Sequence, residues 1–156
     1  TLLAIEPDME LLLPPSARFN IAGSFPLDLI SSTKDVPSPI AASGLNLPAL
    51  PKTSSGTAIK IWSDPLTSPA DGWAMMRAEN GALRMRWDTT LLPQVAVWMN
   101  FGAWAGDGGL PYYNLGLEPC IGAQDSLADA VTINNLYAAL PPHGSRTWWL
   151  EIELTS

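Results

Sequence analysis

Histidine and cysteine are nearly absent, with one of each in 156 residues, His143 and Cys120. A single cysteine excludes an internal disulfide and any cysteine-based zinc cluster, and it fits a reducing compartment. The lone histidine sits in the Pro/Gly turn L-P-P-H-G-S (140–145). It reads as a surface turn residue, and its isolation leaves neither a His-rich metal site nor a Ser-His-Asp triad. Basic residues are scarce as well: eight Lys plus Arg against fifteen Asp plus Glu, a net charge of −7. So acidic a surface repels phosphates, and neither nucleic acid nor an anionic membrane is an expected partner. Long apolar runs are also missing. Glu6, Asp8 and Glu10 interrupt the N-terminal leucine-rich stretch, well short of the roughly 18 residues a membrane helix needs. No basic segment precedes an apolar one, so no secretory leader is read and a cytoplasmic location is expected.

Hydrophobic residues make up 47% of the chain and charged ones 15%, which excludes a disordered tail or a coiled coil. Fifteen prolines and twelve glycines punctuate the whole length, leaving few windows for a helix of about 11 residues. The pieces between them alternate like strands: Ile5 to Leu13, Arg18 to Ala22, Thr57 to Trp62, Gln94 to Phe101, Tyr113 to Leu117 and Thr147 to Leu154. Trp73 to Arg77 and Ala82 to Trp87 flank E-N-G at 79–81, a hairpin signal. Only Ser126 to Tyr137 has room for a helical turn or two. The expected class is all-β, an antiparallel sandwich in one segment spanning 1–156. Residues 31–56 form a Pro/Ser-rich excursion, either a mobile surface loop or an ordered one that helps wall a site.

Tryptophan is the informative excess, with seven residues. Trp87, Trp98 and one of Trp148 and Trp149 fall on apolar strand faces, as core residues do. Trp104 lies instead in G-A-W-A-G-D-G-G (102–109), a glycine-rich loop that lacks the Lys and Ser/Thr of a phosphate cradle. A ring in such a loop can stack on the apolar face of a sugar while Asn100, Asp107 and Asn114 take hydroxyls. Glu118 ends an apolar strand in Y-Y-N-L-G-L-E-P-C. A poorly solvated carboxylate there suits a general base; the alternative is an edge carboxylate that pairs locally.

The stretches L-G-L-E-P-C-I-G-A-Q-D-S-L (115–127) and A-A-L-P-P-H-G-S-R-T-W-W-L-E-I-E-L (138–154) resemble the C-terminal part of the aldose 1-epimerase, or galactose mutarotase-like, family. G-S-F-P-L-D-L (23–29), P-Q-V-A-V-W-M-N-F-G (93–102) and T-L-L-A-I (1–5) resemble further pieces of it in order. The resemblance implies an antiparallel supersandwich of which this chain is roughly the C-terminal half. It also implies interconversion of hexose anomers by general acid/base ring opening, without a cofactor. Glu118 matches the catalytic base, and Asp71, Trp98, Asn100 and Trp104 would bind the sugar. Both family histidines lie upstream of the matching region. The expected partners are therefore a small sugar and an N-terminal fragment or second chain that completes the sandwich. A non-catalytic carbohydrate-binding module on the same fold is the alternative, and a purely structural sandwich is the third reading.

Overall fold

The computed structural model describes residues 2–6, 8–25, 40–41, 56–105, 109–122 and 124–156. The 31–56 excursion, apart from 40–41 and Gly56, and Asp107 therefore lie outside the described residues. Two sheets form the structure. The larger has six strands: β1 (Leu2–Ala4), β3 (Arg18–Phe25), β4 (Ile40–Ala41), β5 (Thr57–Ser63), β8 (Gln94–Phe101) and β9 (Tyr113–Cys120), in the order β1-β9-β8-β5-β3-β4. The smaller has four: β2 (Glu10–Leu12), β6 (Trp73–Ala78), β7 (Gly81–Trp87) and β10 (Leu150–Thr155), in the order β10-β7-β6-β2. Every pairing of neighbouring strands is antiparallel, as the expected all-β class requires.

Period-two alternation decides what each sheet buries. In β8, Val95, Val97, Met99 and Phe101 join the core; in β9, Leu115 and Leu117 do so; in β5, Ile61 does, with Ile59 packed against it. The smaller sheet contributes Leu11, Ala74, Met76, Met85 and Trp87. The alternate row of the larger sheet, comprising Lys60, Trp62, Ala96, Trp98, Asn100, Asn114 and Glu118, consequently shares its outer face.

Three local expectations change. Only Glu10–Leu12 of the stretch Ile5–Leu13 is strand, β2 of the smaller sheet, and the strand before it, β1, belongs to the larger sheet. The chain changes layers between them at the charged positions Glu6 and Asp8, where the Met9 N–H bonds the Glu6 carbonyl at 3.1 Å. Second, Trp148 and Trp149 are both exposed and neither is a core residue, and Trp98, expected in the core, is half-buried on the face of β8 opposite the core row. Trp148 and Trp149 stand just before β10, the edge strand of the smaller sheet, so the periodicity is present without a layer to pack against. Third, the E-N-G hairpin forms, with Glu79 and Asn80 joining the Ala78–Gly81 pair. Its glycine answers a different need. A Cβ at Gly81 would stand 2.5 Å from the Thr155 carbonyl oxygen of β10.

Between β9 and β10 the chain makes one helical turn, Leu127–Asp129, capped by Ser126 and widening into a π-type turn at Ala130–Asn134. No described helix is long and apolar enough to cross a membrane.

Candidate functional site

The outer face of the six-stranded sheet brings together most of the residues that carry chemistry. Register sets it up. Lys60 is paired with Trp98, and Ala96 lies between Trp62 on one side and Glu118 on the other. Alanine there leaves a diagonal open across β8. The Lys60 ammonium uses it to reach the Glu118 carboxylate at 3.5 Å, and it also meets Asp125 at 2.5 Å. It stands 4.9 Å from the centre of the Trp62 ring, within cation–π range. Burial alone would lower the Lys60 pKa. The Asp125 hydrogen bond and the charges of Glu118 and Asp125 outweigh it, so the ammonium holds its proton more tightly than an ordinary lysine.

Asp125 reaches this face because the chain after β9 is pinned back over it. Gln94, buried, donates to the Ser63 carbonyl at 2.8 Å and accepts the Gly122 N–H at 2.9 Å. The Ser63 hydroxyl accepts the Val95 N–H at 3.0 Å. This lock ties β5, β8 and Gly122 into one unit.

Beside the charged cluster runs an aromatic train. Trp98 meets Trp104 edge to face, with centroids 6.0 Å apart and planes at 89°. Trp104 meets Tyr112 the same way, at 5.7 Å and 86°. Trp104, the middle ring, is 43% exposed, so the train opens to solvent. The position of Trp104 is set by Asn100, which has no exposed surface. The Asn100 amide donates to the Trp104 carbonyl at 2.7 Å, and its oxygen accepts the N–H groups of Ala103 and Trp104, both at 3.1 Å. Asn100 thus spends its hydrogen bonds on the loop and acts as a positioning residue for Trp104, not as a free ligand for hydroxyls. Its cross-strand partner Asn114 keeps an unused acceptor: its Oδ1 is buried and has no partner among the described residues.

Of the residues singled out from sequence, Glu118, Trp98, Asn100 and Trp104 share this face. Asp71 does not. It stands in the 3-10 turn Pro69–Asp71 that leads into β6 of the smaller sheet. Its neighbours Ala70 and Gly72 line a cavity of about 460 Å³ there, together with Trp73, Arg84, Arg86 and Trp149. His143 occupies an exposed turn with a φ of 60°. Glu118 has a lysine rather than a hydrophobic wall as its neighbour, reached across β8 from β5. Sequence reasoning passed over Lys60, Trp62, Tyr112 and Asp125. Alternation in T-A-I-K-I-W already puts Lys60 and Trp62 opposite the core row, but nothing local links Lys60 to Asp125, 65 positions away.

Cys120 lies on the same face beside Gln94. Burial pushes its thiol pKa up to about 11, so it stays protonated and unreactive near neutral pH. Among the described residues no group of three or more His, Cys, Asp and Glu side chains could hold a metal. Comparison with known proteins adds no relative: no family model, no curated protein and no solved structure matches the chain.

Proposed function

We propose that this chain binds a neutral sugar on the outer face of its six-stranded sheet, as part of a larger antiparallel supersandwich. The observation that carries the reading is the Trp98–Trp104–Tyr112 train, anchored by Asn100 and bordered by Glu118, Lys60 and Asp125. An exposed ring next to fixed charged and amide groups suits a hexose, whose C–H face is apolar and whose hydroxyls need both donors and acceptors. Trp104 offers the stacking surface. Asn114 Oδ1, a buried acceptor, and the two carboxylates take hydroxyl protons, and Lys60 donates.

Anomer interconversion with Glu118 as base is the second reading, favoured by the position of that carboxylate next to the aromatic train. It requires a proton donor for the ring oxygen. The cation beside Glu118 is Lys60, which its two carboxylate partners make a weaker acid than usual. The only imidazole, His143, is in an exposed turn outside that cluster. Binding without turnover is therefore the better-supported of the two.

Titration of tryptophan fluorescence with galactose and glucose tests the proposal. A saturable change that disappears in Trp104→Ala and weakens in Glu118→Gln is the expected result. No saturable response to either sugar, in a protein that melts cooperatively, overturns it. Polarimetry on fresh α-glucose and α-galactose decides the second reading. Accelerated mutarotation that is lost in Glu118→Gln while binding persists would establish an enzyme.

A further inference from the structure

The smaller sheet ends in a strand that nothing described covers. β10 pairs with β7 along one edge only, and its other edge is free among the described strands. Its inward row is apolar yet open to solvent: Leu150 is 41% exposed, Ile152 50% and Leu154 75%. The larger sheet stops on the same flank, because its edge strand β1 contributes Leu3 and Ala4 to a slot of about 360 Å³ shared with Met76, Leu83 and Leu154. A free row of backbone donors and acceptors next to an apolar stripe is a template for strand addition.

Charge defines the occupant. On the opposite face from the stripe, β10 carries Glu151 and Glu153, which register places beside Arg86 and Arg84 of β7. Glu151 reaches Arg86 at 3.7 Å, while Glu153 makes no ion pair among the described residues. β7 thus shows what β10 accepts: L-R-M-R-W, apolar inward and arginine outward. A second copy of β10 fits poorly. Two such strands paired antiparallel about Ile152 would set Glu151 against Glu153 twice, and like charges directly opposite destabilise a sheet.

We infer that the free edge of β10 takes up an extended segment of another polypeptide whose side chains alternate apolar with Lys or Arg. Its backbone continues the ladder, its apolar row extends the Leu150–Ile152–Leu154 stripe, and its cations complete Glu151 and Glu153. This surface is separate from the sugar-facing sheet, so either reading can fail without the other.

The test uses the full chain and a fluorescent peptide with the sequence A-L-R-M-R-W, read by anisotropy at low and high salt. The peptide A-L-E-M-E-W is the control. The expected result is saturable binding of the arginine peptide at least about tenfold tighter than the glutamate peptide, weakening with salt. Glu153→Lys, a surface change that leaves the apolar row intact, should narrow that preference, and Ile152→Asp should abolish binding. Equal affinity for both peptides, or binding of neither, overturns the inference. Sedimentation of the chain alone as a dimer that Ile152→Asp dissociates also overturns it, since a second copy would then cover the edge.

Discussion

Asn100→Ala removes a side chain whose three hydrogen bonds all go to the neighbouring loop. Three bonds go, at 2.7, 3.1 and 3.1 Å, from a residue with no exposed surface. At about 1 kcal/mol net each, the ceiling is roughly 3 kcal/mol. The loop groups regain some of that by meeting water, because Trp104 lies at the surface, so a loss of about 2–3 kcal/mol is expected. For a chain of this size that lowers Tm by roughly 4–12 °C. The second consequence is local. Released from Asn100, Trp104 no longer stands edge-on to Trp98, a contact of about 0.5–1.5 kcal/mol. Sugar affinity should fall between about two- and twelvefold. Thermal denaturation, amide exchange at Ala103 and Trp104, and fluorescence titration read the three effects. Trp104→Ala is the comparator: it should lose affinity with much less loss of stability. Unchanged exchange at Ala103 and Trp104 in Asn100→Ala would refute the anchoring role, whatever happens to Tm.

Gly122 has a φ of +91°, and a Cβ there would lie 2.5 Å from the Leu136 carbonyl oxygen. Gly122→Ala should therefore cost about 2 kcal/mol or more through strain and lost Gln94 bonding, and chemical denaturation measures it. The Cys120 thiol, raised by burial to about 11 in the folded chain, titrates near 8.5 when unfolded. A raised folded pKa stabilises fully below the unfolded value and is lost as pH climbs to the folded one. Stability should thus decline from about pH 8.5 towards about 11, and Cys120→Ala should flatten that part of the profile. The Lys60 pKa is raised as well, so its contribution is present below the ordinary lysine value and disappears as pH rises through its own. Lys60→Met should remove a loss of stability that begins above about pH 10.

Particular residues show where sequence reading works and where it stops. Val95, Val97 and Met99 declare β8 and its buried face through alternation alone, and the structure places Trp98 and Asn100 on the other side, against the core role that sequence assigned to Trp98. Alternation cannot say what Asn100 does there, since two amide groups on one face look alike in sequence. Only the return of residues 103–104 over the strand end makes Asn100 an anchor, while the Asn114 oxygen has no partner among the described residues. Trp148, Trp149 and the Leu150–Ile152–Leu154 row carry the pattern of core residues. They are exposed because burial needs an opposing layer, and alternation records only which side a residue faces. The resemblance puts Asp71 and Glu118 in one site, and the split of the chain between two sheets separates them.

The sequence by itself determined the all-β class, most strand positions, the single cysteine and single histidine, and the two faces of most strands. Those properties are local or compositional: a two-residue period, a turn residue, a count. The tertiary structure alone decided that Lys60 meets both Glu118 and Asp125, that Gln94 pins Gly122 ahead of Asp125, and that β10 has β7 on one edge and no other described strand on its second. These depend on strand order and register, which bring together residues tens of positions apart, and no short window of sequence contains that information.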